Sequence, residues 1–388
     1  MSERERQTAV WSENGGERTA LWRSESGAKP PRHVRPADDR TTADAAYKLA
    51  CEGTALLWRG DYHGARQLLS ALGRRVDRKP ARAGGTPRES FHLLRQAQSR
   101  RARVLGMLLV PLDCGPAPAG YAVPLRRAPD VREACAEAYG PPEGAAGHSL
   151  VPLRELLGVI GAHEWRRRGV AVPALGGERV HPAYGVFSPV RGEYVDLVAR
   201  TELPPDGLAF DIGTGTGVLS AVLARRGVGR VVATDQDERA LACARENIER
   251  LGVAGQVTVV AADLFPPGGE RASLVVCNPP WLPAKPASPL EHAVYDPGSR
   301  MLRGFLSGLA DRLAPDGEGW LILSDLAERL QLRTREELLG WVDAAGLAVA
   351  GREDTHPRHP RSADPSDPLH AARGAEVTSL WRLRHKGP

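Results

Sequence analysis

LAFDIGTGTGVLSAVLAR, residues 208–225, decides how the rest of the chain is read. Its opening residues, 208–211, form a short run of strand character, and residues 218–225 carry the apolar spacing of a helix. Between them lies the glycine-rich DIGTGTG, from Asp211 to Gly217. Glycines at a strand-to-helix turn tolerate positive φ and let a ligand approach the backbone, while the helix N-terminus offers unpaired N–H groups. The spacing is GxGxG, not the GxGxxG of dinucleotide sites, and it leans away from NAD.

Outward from this turn, strands and helices alternate. Strands are expected over 208–211, 230–234, 257–261, 273–277 and 320–324, with helices over 218–225, 238–251 and 298–313. Alternation at this spacing implies right-handed βαβ units and a parallel, doubly wound sheet. Two last extended runs, 347–352 and 377–384, flank a loop rich in His and Pro and should end the sheet as an antiparallel pair. Upstream, a helix is expected over 153–168, and the runs 170–175 and 179–184 around Gly176-Gly177 read as a β-hairpin. Residues 1–42 are polar and without hydrophobic period, and are expected to be a flexible tail. Residues 42–72 read as a helical hairpin broken at Arg59-Gly60-Asp61, followed by helices over 91–109 and 132–139. The expected organisation is therefore a tail (1–42), a mainly helical accessory domain (43–145) and an α/β domain (150–388) with a hairpin at 170–184.

Composition sets several classes aside. A chain of 388 residues with 42% hydrophobic and 26% charged residues is ordinary for a globular protein of two or three domains. The opening MSERERQTAVWSENGGERTA has no apolar core, so no secretory signal is expected there. The longest apolar run, 104–112, is about half of what a membrane helix requires. The five cysteines, Cys51, Cys114, Cys135, Cys243 and Cys277, lie far apart with no CxxC pair, which argues against a disulfide framework and a structural zinc site. These features point to a cytoplasmic protein with reduced thiols and no metal.

Two further stretches carry chemistry. Asp235 ends the second core strand, where a carboxylate can accept both hydroxyls of a ribose. Asn278-Pro279-Pro280-Trp281 follows the fourth, and such strand ends face the ligand crevice of a doubly wound sheet. Two prolines stiffen the backbone and leave their carbonyls free of any N–H of their own. The Asn278 side-chain oxygen and the Pro279 carbonyl can then each take one hydrogen of a planar NH₂ group. Trp281 offers a flat face for stacking.

At this point the chain resembles the class I S-adenosylmethionine-dependent methyltransferases, which have a Rossmann-like fold. The resemblance covers residues 180–388, and it implies S-adenosylmethionine as cofactor. By that likeness Asp211, Gly213, Thr214, Gly215 and Gly217 underlie the methionyl part, and Asp235 with its neighbour Gln236 holds the ribose. Asp263 and Leu264 meet the adenine, and Asn278 lies at the junction of cofactor and substrate. The tetrapeptide is similar to the (N/D)PP(Y/F/W) motif of enzymes that methylate planar nitrogen, with Trp281 in place of the Tyr usual in the glutamine enzymes. YGVFSPVRGEYVDLV, residues 184–198, looks most like release-factor glutamine methyltransferases and their ribosomal-protein relatives. The resemblance implies methyl transfer to a glutamine-type amide of a protein, with an exocyclic amine of rRNA or tRNA as the alternative. A small-molecule methyltransferase and a non-catalytic cofactor-binding module stand further off. Tyr184, Phe187, Arg191 and Trp281 are the candidate substrate wall.

One region has an unusual charge. Residues 59–103 hold twelve basic residues, eleven Arg and Lys79, against Asp61, Asp77 and Glu89, a net of +9 in a chain whose total is +5. Such asymmetry suits an RNA- or ribosome-facing domain. HPRHP (356–360) with His370 does not match zinc-site spacing, and this loop is expected on the substrate side.

Overall fold

The computed structural model describes residues 7–78, 84–115, 120–142, 147–205, 207–286, 289–357, 364–365 and 367–387. Lys79 and residues 358–363 of the His/Pro loop lie outside the described residues. The chain divides into two compact units, one of residues 1–82 and 92–164, the other of residues 83–91 and 165–388.

The first unit corrects two expectations. Residues expected to form a flexible tail build β1 (Thr8–Glu13), β2 (Gly16–Trp22) and β3 (His33–Ala37). β1 and β2 form a hairpin closed by Asn14-Gly15, both at positive φ, the two-residue turn whose twist matches paired strands. The expected helical hairpin is a helix, a strand and a helix: α1 (Ala43–Cys51), β4 (Thr54–Trp58) and α2 (Tyr62–Asp77). Thr42 caps α1 and Asp61 caps α2, each accepting a backbone N–H of the first turn. α3 (Pro87–Gly106), β5 (Leu108–Gly115), β6 (Gly120–Ala122), α4 (Arg132–Tyr139), β7 (Gly147–Pro152) and α5 (Leu153–Arg168) follow. The sheet order is β1-β2-β7-β5-β4-β3, with β6 on β5. β1 also lies against β3, so the sheet curls around Ala9, Trp11, Val34, Leu57, Leu109 and Leu150. This unit is α/β, not mainly helical. The division into units falls inside α3, between Phe91 and His92, and again inside α5.

The second unit holds the expected doubly wound sheet. β8 (Val170–Ala171) and β9 (Arg179–Val180) make a hairpin shorter than expected, because Pro173–Leu175 turns as a 3₁₀ helix. Then come α6 (Glu193–Arg200), β10 (Leu208–Ile212), α7 (Val218–Arg225), β11 (Arg230–Asp235), α8 (Glu238–Arg250), β12 (Val257–Ala261) and β13 (Ala272–Cys277). The chain ends with α9 (Arg300–Arg312), β14 (Leu313–Ser324), α10 (Leu326–Arg329), α11 (Arg335–Ala344), β15 (Leu347–Thr355), α12 (His370–Gly374) and β16 (Thr378–His385). The order is β12-β11-β10-β13-β14-β16-β15, with the first five strands parallel and β16 antiparallel to both neighbours.

Period-two alternation builds both layers. Ala209, Leu274 and Val276 face α6, α7 and α8, whereas Phe210, Ile212, Val275 and Cys277 face α9 and α11. Order reverses between β10 and β13, and a crevice outside their carboxyl ends is where such sheets take ligands. Asp211 and Asn278 stand there.

Candidate active site

The glycine turn is shaped by close approach. Gly213, Gly215 and Gly217 have φ of +73°, +55° and +80°. A Cβ on Gly213 would stand 2.6 Å from Met301 Cε, and one on Gly217 would be 3.3 Å from Ala244 and Ile248 of α8. A Cβ on Gly215 would meet nothing within 4 Å, so this glycine opens onto free space. The N–H groups of Gly213 and Thr214 both donate to the Thr234 carbonyl, which ties the turn to the end of β11.

Asp211 is 1% exposed. Its Oδ2 accepts from Ser220 Oγ (2.6 Å), Thr214 Oγ1 (2.7 Å) and Ser220 N (3.1 Å), so the carboxylate locks the turn onto α7. Burial raises its pKa against the lowering effect of these donors. Asp235 accepts from Gly215 N on Oδ2 (3.1 Å) and from Asp237 N on Oδ1 (3.0 Å), and burial raises its pKa too. Each carboxylate oxygen can accept twice, so both retain capacity toward a diol. Gln236 is exposed beside it.

Leu264 sits at φ +76°, held by the Thr234 hydroxyl donating to its carbonyl at 2.5 Å, with its side chain packed near Gly304. Asp263 is exposed and paired with Arg300 at 2.6 Å, a partner the sequence reading did not foresee. The residues fit an adenosyl group: a carboxylate with acceptor capacity to spare, an open glycine and an apolar side chain stand at three strand ends.

At the NPPW turn, the Trp281 indole N–H donates to Asn278 Oδ1 at 3.0 Å. Trp281 is half-buried against the cluster that includes Phe305 and Leu302, so its ring is as much an anchor as a stacking face. Asn278 Oδ1 keeps its second lone pair. The preceding Cys277 is fully buried, and burial pushes its thiol well up, with Asp211 and Asp296 adding to the effect. Asp296, another residue not anticipated, caps α9 by accepting from Met301 N (2.9 Å) and Leu302 N (3.2 Å).

The expected substrate wall separates into different settings. Tyr184 lies under the Arg239 guanidinium, 5.8 Å from its ring centre. Phe187 packs into the core beside α6 and α7. Arg191 approaches buried Glu376 at 3.9 Å, and Glu376 accepts from Ser324 at the carboxyl end of β14, on the NPPW rim. A cavity of about 320 Å³ opens beside Arg191 and is lined also by Pro173, Pro189, Glu193 and Asp196. Glu193 Oε1 is buried there without a hydrogen-bond partner, and no sequence signal had marked it. His356 Nδ1 lies 3.3 Å from the Glu376 carbonyl. Among the described residues no group of three or more His, Cys, Asp or Glu is arranged for a metal, and no helix is long and apolar enough to cross a membrane.

Residues 179–328 match the family described as the methyltransferase small domain. Over these residues the chain carries a methyltransferase small domain. This methyltransferase domain is similar to a ribosomal protein L11 methyltransferase of Pelotomaculum thermopropionicum, 38% identical over 39% of this chain and 41% of that one. A release factor glutamine methyltransferase of Cereibacter sphaeroides is 32% identical over 41% and 59% of the two chains. A tRNA1(Val) (adenine(37)-N6)-methyltransferase of Bacteroides thetaiotaomicron is 31% identical over 33% and 56%. The chain spans about half the length of these curated relatives.

Proposed function

We propose that the protein transfers a methyl group from S-adenosylmethionine to a planar nitrogen, a glutamine-type amide of a protein substrate. The observation that carries this reading is the held Asn278: its oxygen is fixed by Trp281 at the strand end adjoining Asp211. The cofactor supplies an electrophilic methyl on a sulfonium. Asp211 and the glycine turn would hold its amino-acid end, Asp235 with Gln236 its ribose, and Asp263 and Leu264 its adenine.

Asn278 Oδ1 and the Pro279 carbonyl each accept one hydrogen of the substrate NH₂, and Pro280 keeps the turn rigid. With both hydrogens held, the nitrogen lone pair is directed out of the amide plane toward the methyl. The nitrogen becomes cationic only as the bond forms, so its proton is lost afterwards and no strong base is needed at the motif. Orientation of this kind can supply up to ~7–11 kcal/mol in favourable cases.

An RNA exocyclic amine has the same two hydrogens and is the second reading, favoured by the basic first unit. Incubating the protein and methyl-labelled cofactor with fractionated lysate of a deletion strain separates them. Label in protein, recovered as N-methylglutamine, supports the proposal. Label in RNA selects the second reading, and label only in small molecules overturns both.

A further inference from the structure

Glu193 is out of place in the second unit. It stands in the first turn of α6, only 4% exposed, and its Oε1 has no hydrogen-bond donor among the described residues. Burying a carboxylate oxygen without a donor is costly, and such a group calls for a partner from outside the fold. The same residue lines the cavity of about 320 Å³ beside Arg191. Val172, Pro173, Pro189 and Val190 give that cavity an apolar wall, and Val190 is 55% exposed. The volume lies at the low end of small-ligand sites, which begin at about 300 Å³, so it suits a single side chain better than a nucleotide. Arg191 also lines the cavity, but its charge is offset by buried Glu376 at 3.9 Å.

We propose that this cavity is a subsite for an arginine side chain of a protein substrate, with the guanidinium on Glu193 and the methylene stem along the apolar wall. The inference rests on the reading of the substrate as a protein. An arginine is apolar along its stem and charged at its head, which matches this wall and this carboxylate. Arginine is favoured over lysine because its planar fork can bond both oxygens of a carboxylate. It is also more weakly hydrated than an ammonium, and so less costly to bury. The place suits a residue near the one methylated. Glu376, which Arg191 approaches, accepts from Ser324 at the carboxyl end of β14, on the NPPW rim. The site then selects protein segments that carry an arginine close to the modified residue.

The test is a calorimetric titration of the full chain with Nα-acetyl-arginine methylamide, which presents the side chain as a peptide does. The citrulline counterpart has the same shape without the charge and is the control. The arginine probe should bind about 10-fold tighter or more, the margin expected of hydrogen bonds to a charged group. In Glu193→Gln the two probes should bind alike, with S-adenosylhomocysteine affinity within a few-fold of wild type as the check on the fold. The wild-type comparison stands even where the variant misfolds. Free arginine, which brings its own charged termini to the apolar mouth, should bind more weakly than the blocked probe. No binding of the arginine probe at millimolar concentration would leave Glu193 to a bound water and overturn the proposal. Equal affinity for the two probes, a preference that survives Glu193→Gln, or tighter binding of free arginine overturns it as well. None of these readouts is methyl transfer, so failure of the glutamine assignment and failure of this subsite are seen separately.

Discussion

β4 in the first unit and β13 in the second are both short, buried, parallel strands, TALLW and ASLVVC, yet only the second is legible as a strand from sequence. The difference lies in what flanks them. β13 runs into NPPW, whose prolines stop it and whose chemistry assigns its end. β4 follows α1 so closely that Leu56 and Leu57 fall in step with Ala46, Leu49 and Ala50, and a run buried on both faces has no alternation to betray it. Gly53, at φ +86°, is the break: it stands just past the end of α1, where a left-handed glycine commonly closes a helix. A parallel strand without a motif at its end is therefore easily absorbed into its neighbouring helix.

The largest effect that tests this comparison is expected in β4. Leu57 is fully buried in the curled sheet, so Leu57→Ala should destabilise the first unit by about 2–5 kcal/mol through lost burial and the cavity left behind. Urea unfolding of the mutant measures it, with cofactor affinity as the control for the second unit. A change below ~1 kcal/mol would return this segment to the surface of a helical hairpin.

The next effect lies at the end of β13. Asn278→Ala removes an acceptor used mainly near the transition state, and turnover should fall at least ~100-fold with cofactor affinity within a few-fold. Methyl-transfer rates and calorimetry on the same preparation check both halves. Near-full activity would sink the planar-nitrogen assignment.

Legibility follows the same line. In the methyltransferase domain α7 spans residues 218–225 as expected, and the core strands lie within a few residues of their expected limits except β14, which begins at Leu313. There alternation, glycine turns and acids at strand ends agree. In the first unit Asn14-Gly15 between β1 and β2 is a hairpin signal that reading residues 1–42 as a tail, from polar composition alone, passes over. Asp296, Arg300, Glu193 and Glu376 carried no signal, because what matters about them is position: a cap, an ion pair, a cavity wall and a rim, all set by tertiary structure.

A third prediction uses buried charge. Glu318 on β14 accepts from Trp320 Nε1 and pairs with Arg382 and Arg384 of β16. Burial alone would raise its pKa, but hydrogen bonds from Arg382, Trp320 and Arg384 hold it at about 2. A carboxylate whose folded pKa lies below its unfolded value near 4.5 stabilises fully above that value and loses the contribution as pH falls toward 2. Glu318→Gln should cost about 2 kcal/mol at neutral pH, less than a wholly buried network because Arg384 is half exposed and screened. The wild-type advantage should shrink between pH 4.5 and 2, and thermal melts across that window measure it. A constant gap would mean that the ion pairs contribute nothing to the join of β14 and β16.

The smallest expected effect compares two tryptophans that each reach across three residues. In the first unit Trp58 Nε1 donates to the Asp61 carbonyl at 2.8 Å, within a buried turn that starts α2. In the second, Trp281 Nε1 donates to the Asn278 side chain at 3.0 Å. Each is a neutral hydrogen bond with a net worth of about 1 kcal/mol, so phenylalanine at either position keeps a ring and removes one donor. Trp58→Phe should therefore lower stability by about that amount and leave methyl transfer alone. Trp281→Phe should do the reverse: the Asn278 amide loses its fixed orientation, and turnover falls about 5-fold at unchanged cofactor affinity and little change in melting. Trp281→Ala should weaken substrate binding as well, since it removes the ring. If Trp281→Phe instead lowers only stability, the indole N–H is a packing contact like that of Trp58, and Asn278 is held by its backbone alone.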